Sequence, residues 1–332
     1  MNVKALIRRV NHTLKLHKLF PEHSRILIAC SGGPDSMALL HLLQDIAAHR
    51  HTKYKLGIAV VDHSIRPESK DEVLWLQNQV DALGLSFYTT TFDVPTLSKD
   101  LKLSEETVGR QVRYQWLNEI AHSEGYDYIA VAHHKNDQAE SILAHLIRGT
   151  GLNGLTGMAV VSNDYDIPVI RPLLDVTKAE LLAYLADRKL TYCIDSTNDD
   201  IRYQRNRIRH RIIPELESIN PNVVDAIARL GGSVSEDLAV ISDLTVQAFK
   251  RLVTIDKGEM RLSRRALRKE PLAIQRRLWQ RLVSSIDSDI TLTTAHQEQL
   301  LDIVNTGEKK TFTIKSIKVI AQCDTIKVYC KH

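Results

Sequence analysis

Six residues, Ser31-Gly32-Gly33-Pro34-Asp35-Ser36, carry the most specific chemistry in the chain. They stand between the apolar run 25–30 and the leucine-rich stretch that begins at Met37, where a buried strand is expected to turn into a helix. At such a junction glycines let backbone N–H groups converge on an anion. The helix start adds the positive end of its dipole, and the Ser31 and Ser36 hydroxyls add donors. The predicted ligand is a phosphate. Asp35 alone would repel it, but a divalent cation bridging carboxylate and phosphate oxygens removes the conflict, so the reading is a nucleotide with Mg²⁺. A plain strand-to-helix turn is the alternative. The lysine of a Walker loop and the three spaced glycines of a dinucleotide loop are both missing.

Further groups point the same way. In Ala132-His133-His134-Lys135-Asn136-Asp137-Gln138-Ala139-Glu140-Ser141, continuing to Arg148, helical offsets of three and four place Asp137, Glu140, Ser141 and Arg148 on one face, and His133 reaches it. Two imidazoles, two carboxylates and a guanidinium suit holding a cation and a triphosphate, or binding the ammonium of an amine. A solvated helix start capped by Asn136 is the alternative. The two-histidine i, i+4 spacing of a helical zinc site is absent. Arg110 and Arg113 either clamp phosphates or pair with Glu105 and Glu106 one turn earlier.

Between 202 and 211 stand five arginines and no acid. Arginine suits bidentate phosphate contacts and base stacking, so RNA is the expected partner of Arg205, Arg207 and Arg209. A second basic set, 261–281, includes Arg264, Arg265 and Arg268, with Glu270 as its single acid.

The elements that must position these residues follow from periodicity. Apolar runs at 25–30, 56–61, 86–91, 128–132 and 167–170 alternate with helical segments, which predicts an α/β fold with a doubly wound parallel sheet. The reactive residues follow the strands, so they gather at one sheet edge. From about 217 the texture becomes helical, with breaks expected at Gly231-Gly232 and at 256–258, and short alternating strands at 312–328. The expected organisation is a catalytic domain over 1–216 and a mainly helical second domain over 217–332.

Composition sets limits. With 43% hydrophobic and 25% charged residues among 332, the chain has an ordinary globular composition, and no apolar stretch approaches the roughly 20 residues that span a bilayer. The four cysteines lack metal-site spacing, which suits a reducing compartment. The acid-free first twenty residues imitate a presequence but lack serine, and read as an amphipathic helix of the fold. The expected location is the cytoplasm. A net charge of +4 does not by itself call for nucleic acid.

The 31–36 loop resembles the pyrophosphate loop of ATP pyrophosphatases. With Val61-Asp62-His63-Ser64-Ile65-Arg66, Gly109-Arg110-Gln111-Val112-Arg113-Tyr114, the 132–140 segment, Arg148-Gly149-Thr150-Gly151, Arg171-Pro172-Leu173-Leu174, Asp195-Ser196-Thr197-Asn198 and Arg205-Asn206, the chain resembles the tRNA(Ile)-lysidine synthases over 25–214. The resemblance implies adenylation of the first anticodon cytidine of tRNA(Ile) with anticodon CAU, followed by displacement of AMP by L-lysine. It places ATP on Ser31–Ser36, Mg²⁺ on Asp35 and the adenosine end near Asp62. Arg113, His133, Asp137 and Arg205 become the groups that stabilise charge, and the second domain grips the tRNA. Longer members of the family add a further β-rich domain. The alternatives are a tRNA thiolase of the same loop family, which would need more than Cys30 and Cys193 in its catalytic half, a small-molecule amide ligase, and an RNA-binding switch without turnover. A homodimer is left open.

Overall fold

The computed structural model describes residues 3–48, 53–64, 69–193, 204–256 and 258–330. The chain divides into two compact units, Met1–Gly232 and Ser233–His332.

The first unit opens with α1 (Val3–Leu16), whose apolar residues Leu6, Val10 and Leu14 recur at helical spacing and are buried, so this helix belongs to the fold as expected. Six strands follow: β1 (Arg25–Ala29), β2 (Lys55–Asp62), β3 (Ser86–Thr91), β4 (Tyr128–Ala130), β5 (Val161–Ser162) and β6 (Val169–Ile170). Their order is β3-β2-β1-β4-β6-β5, all parallel except β5, which runs antiparallel to β6. Between and after them lie α2 (Pro34–Ala48), α3 (Ser69–Ala82), α4 (Val94–Leu101), α5 (Glu105–Ser123), α6 (Lys135–Arg148), α7 (Leu152–Leu155) and α8 (Lys178–Asp187).

Strand residues alternate between two apolar layers. Ile26, Ile28, Ile58, Val60 and Ala130 pack with Leu39 and Leu43 of α2 and Leu181 and Leu185 of α8. Leu27, Ala59, Ile129 and Val169 pack with Tyr114, Leu117 and Ala121 of α5. The sheet is thus doubly wound. Because β1 lies between β2 and β4, the segments leaving the carboxyl ends of β1 and β4 diverge to open a crevice, the usual place for a ligand in such sheets.

The chain then forms α9 (Gln204–Arg207), a single π-helical turn (Ile208–Ile212), α10 (Ile213–Ile219) and α11 (Val223–Leu252). Ile208, Ile213 and Val224 pack against Ala139 of α6, with Leu143 and Ile227 alongside. This packing carries the first unit to Gly232 rather than to the boundary expected at 216. Nor does the helix break at Gly231-Gly232: α11 runs straight through. A Cβ on Gly231 would lie 2.8 Å from Ile142 Cδ1 and 3.2 Å from the Thr156 carbonyl oxygen, so this glycine permits close packing instead of a turn.

The second unit continues α11 into β7 (Thr254–Asp256), β8 (Glu259–Ser263), α12 (Arg264–Arg268), α13 (Leu272–Ser284), α14 (Thr294–Asn305), β9 (Lys310–Ile314), β10 (Ile317–Gln322) and β11 (Thr325–Cys330). The strands form an antiparallel sheet in the order β7-β8-β11-β10-β9. Its inward residues Met260, Val319, Ile326 and Val328 bury against Leu267, Leu278, Trp279 and Leu300 of α12–α14. The short strands expected at 312–328 are β9–β11, and the turn expected at 256–258 joins the hairpin that widens their sheet. No helix among the described residues is long and apolar enough to cross a membrane.

Candidate active site

The 31–36 loop makes the expected turn from strand into helix. Gly32 takes φ +78°, a left-handed conformation that costs other residues steric strain. Buried Ser36 organises the turn, its hydroxyl donating to the Gly33 carbonyl at 2.9 Å and accepting from the Ser31 N–H at 3.2 Å. Pro34 opens α2, where its missing N–H costs nothing.

Asp35 projects from the first turn of α2 and is held from two sides. Its Oδ1 accepts from Lys178 Nζ at 2.6 Å, and its Oδ2 lies 3.6 Å from His134 Nε2. Burial pushes its pKa up, but His134 and Lys178 outweigh burial and hold it below the ordinary carboxylate value. Lys178 is the first residue of α8. A capping box of Thr177 and Glu180 fixes that helix start, and Asn136 Oδ1 accepts the Lys178 backbone N–H at 3.0 Å. Asn136 therefore does not cap α6. His134 does, in a capping box with Asp137: Asp137 Oδ2 accepts the His134 N–H at 2.9 Å, and His134 Nδ1 faces the Asp137 N–H at 3.4 Å. With Nδ1 as acceptor, the ring proton sits on Nε2 and points to Asp35.

One turn along α6, Glu140 is only 1% exposed. It receives Arg205 Nε on Oε2 at 2.8 Å and Arg209 Nε on Oε1 at 2.6 Å, while Asp137 Oδ1 takes a second nitrogen of Arg205 at 2.7 Å. Burial pushes the Asp137 pKa up, but His134 and Arg205 outweigh burial and hold it below its ordinary value. A continuous polar chain results, from Lys178 through Asp35, His134 and Asp137 to Arg205, Arg209 and Glu140. It borders a cavity of about 200 Å³ lined also by Ile213, Pro214 and Glu217.

His133 leaves the end of β4 beside this chain. Burial, together with Arg171, Arg205 and Arg113 and against the pull of Asp137, lowers its pKa to about 3, so it is neutral at pH 7, and its Nδ1 is buried without a partner. Arg113 is open to solvent along the crevice yet crowded by protein. That crowding and the neighbouring Arg110 and Arg205 lower its pKa. The pairing of Arg110 or Arg113 with Glu105 or Glu106 does not occur among the described residues; both guanidinium groups lie over Tyr114 instead. Asp62, at the end of β2, is 5% exposed and accepts the Ser64 N–H at 2.8 Å.

The basic segment after 203 separates by face. Arg205 and Arg209 point inward and are spent on Asp137 and Glu140, while Arg207 is exposed. Arg148 is exposed and reaches Gln204. The motif at 195–198 and Arg202 lie outside the described residues. In the second unit Arg264 is buried and donates to the carbonyls of Thr306 and Glu308, and Arg268 donates to those of Val304 and Asn305. These two arginines hold the end of α14, Arg264 from a buried position and Arg268 from an exposed one, and Arg265 is exposed beside them. Sequence reasoning missed Lys178, a lone lysine with nothing nearby to mark it. It also missed the partnership of Arg205 and Arg209 with Asp137 and Glu140, whose i, i+4 and i, i+3 spacings were the available signal.

Residues 4–216 match the family described as PP-loop domain. The chain is 39% identical over 247 residues to the tRNA(Ile)-lysidine synthase of Thermosipho africanus, covering 74% of this chain and 56% of that protein. It is 31% identical over 328 residues to the tRNA(Ile)-lysidine synthase of Caldanaerobacter subterraneus subsp. tengcongensis, covering 98% and 68%. The chain spans about half the length of several of the curated relatives it matches. Among solved structures, the U34-tRNA thiolase NcsA of Methanococcus maripaludis with its 4Fe-4S cluster superposes with a TM-score of 0.61 at 20% identity, over 70% of this chain and 78% of that one, which is a likeness of fold.

Proposed function

The chain belongs to the PP-loop family of ATP-binding domains and, within it, to the tRNA(Ile)-lysidine synthases, and from that premise we propose that it joins L-lysine to the first anticodon cytidine of tRNA(Ile)(CAU) using ATP. The cytidine C2 oxygen attacks the α-phosphorus and pyrophosphate leaves. The lysine ε-amine then attacks C2, releasing a proton and AMP. The observation that carries this reading is the polar chain linking Asp35, at the mouth of the phosphate loop, to Asp137, Glu140 and the arginines of the basic segment.

Each group has a physical task. The loop amides with Ser31 and Ser36 hold the pyrophosphate end, and Asp62 lies toward the adenosine. No cluster of three or more His, Cys, Asp or Glu among the described residues is arranged to hold a metal alone. The single carboxylate of Asp35 would hold a Mg²⁺ together with the nucleotide, and the ion would neutralise phosphate charge there. Lys178 balances Asp35 and stands beside the same phosphates. Arg113, paired with no carboxylate among the described residues, faces the charge that builds as the base is adenylated, a kind of preorganised stabilisation worth about 3 kcal/mol per group. Neutral His133 supplies hydrogen bonds without adding charge. Asp137 and Glu140, two of the three buried carboxylates among the described residues, suit the lysine ammonium, with Arg205 and Arg209 as their counter-charges. The exposed Arg207 and Arg265 contact the RNA backbone.

Incubation with ATP, Mg²⁺, radiolabelled lysine and a tRNA(Ile) transcript tests the reading. Label enters the RNA with the wild-type protein and falls by about two orders of magnitude in folded Asp35→Ala and Arg205→Ala variants. It stays at wild-type level in Cys30→Ser/Cys193→Ser. No ATP-dependent label with the wild-type protein overturns the proposal.

A further inference from the structure

Helix α5 starts against the ends of the central strands. A Cβ on Gly109 would lie 3.7 Å from the His63 ring at the end of β2, and the charge of Arg113 acts on His133 at the end of β4. The side chains standing on this turn are not explained by the polar chain described above. Guanidinium carbons of Arg110 and Arg113 lie 4.8 and 5.7 Å from the centre of the Tyr114 ring. Tyr114 is stacked on Tyr165, with ring centres 5.3 Å apart and planes within 10°. Arg171, itself buried, donates to the Ala159 carbonyl at 2.8 Å, and its Nε has no partner. Three guanidinium groups thus gather near one phenol ring, and among the described residues none of them is ion-paired to a carboxylate. Asp164 acts on Arg171 only at longer range, and positive charge without a direct carboxylate partner suits an anionic ligand that arrives to share it.

Tyr114 is 2% exposed and is shut off from any base, whereas Arg110 is exposed. The solvent-facing groups over that ring are therefore the planar guanidinium groups of Arg110 and Arg113, of which Arg110 is the nearer, weakly hydrated and already ordered by the ring behind it, which lowers the entropy lost when something stacks on it. Unpaired RNA bases stack on guanidinium planes, and their phosphates favour surplus positive charge. We infer that Arg110, backed by Tyr114 and Tyr165, is the stacking shelf for an unpaired nucleobase next to the reacting cytidine in the single-stranded anticodon loop. This rests on the RNA-ligase reading of the neighbouring site.

The test uses the full chain and an anticodon stem-loop RNA with 2-aminopurine placed in turn on either side of the cytidine. One of the two positions is quenched on binding to the wild-type protein. The quenching disappears in Arg110→Ala and also in Arg110→Lys, which keeps the charge and loses the plane. It weakens in Tyr165→Ala, which removes the backing alone. KM for the RNA rises about tenfold in Arg110→Ala, the loss expected for one stacked base, while KM for ATP is unchanged. Quenching that stays as deep as in the wild-type protein in Arg110→Ala or in Arg110→Lys, or quenching at neither position in the wild-type protein, overturns the shelf. Lysine incorporation measured in parallel separates the two readings. Arg110-dependent quenching in a protein that ligates no lysine sustains the shelf and sinks the ligase, and ligation with Arg110-independent quenching does the reverse.

Discussion

Neutral imidazoles beside guanidinium groups give this site its pH behaviour. Burial, with Arg171, Arg205 and Arg113, outweighs Asp137 in lowering His133 to about 3, and burial with Arg113 outweighs Asp62 in lowering His63 to about 4. In the unfolded chain both rings take up a proton near pH 6.5. Between that value and about pH 4 the unfolded state therefore binds protons that the native state refuses, and stability falls as pH drops through this window. Asp137 acts in the same direction over a lower range: held ionised in the native state, it contributes stability that is lost only as the pH falls below the ordinary carboxylate pKa. In urea melts between pH 4 and 6.5, His133→Gln is expected to reduce the slope of stability against pH by up to about 1.4 kcal/mol per pH unit. An unchanged slope in His63→Gln/His133→Gln would contradict the assignment of these rings as neutral.

The elements show which features a sequence exposes. The strand 25–29 and the helix 3–16 are written in their apolar residues, because each buries them in the core, whereas the edge strand 86–91 buries no residue and shows only as a run of aromatic and β-branched residues. β5 is not legible: its two residues pair antiparallel only because β6 is already in place. Gly231-Gly232 reads as a stop because glycine marks turns and close approaches alike, and only Ile142 on another helix decides between them. The His134 cap was hidden because histidine is not a usual cap residue. Lys178 was hidden because it meets Asp35 across 143 residues of sequence, a contact made by the order of β1, β4 and α8. The strand-to-helix turn of the 31–36 loop, by contrast, was readable, since its geometry is local. Close packing at glycine also gives a test at this scale. A Cβ on Gly57 in β2 would fall 1.9 Å from the Tyr126 hydroxyl. Gly57→Ala should therefore lower stability by about 1–3 kcal/mol, and by clearly less in a Tyr126→Ala background, as a denaturation double-mutant cycle would read.

At the scale of the whole molecule, a net charge of +4 conceals how the arginines are divided. Arg205 and Arg209 are neutralised by Asp137 and Glu140, and Arg264 is buried on backbone carbonyls in the second unit, whereas Arg207, Arg265 and Arg268 are exposed, Arg268 while donating to the carbonyls of Val304 and Asn305. Two substitutions one residue apart should consequently differ in kind. Arg265→Ala should weaken RNA binding and lower the slope of log affinity against log salt by about 0.7–0.9, with the melting temperature unchanged. Arg264→Ala, which strands the carbonyls of Thr306 and Glu308, should instead cost about 1–3 kcal/mol of stability. The central claim is that one crevice activates an RNA base and hands it to an amine. It is tested most directly by digesting tRNA(Ile) to nucleosides after incubation with ATP, Mg²⁺ and lysine, and identifying the first anticodon residue by mass. The account predicts a cytidine carrying lysine at C2, with AMP released in equal amount; an unaltered cytidine, or one that has gained sulfur at C2, would contradict it.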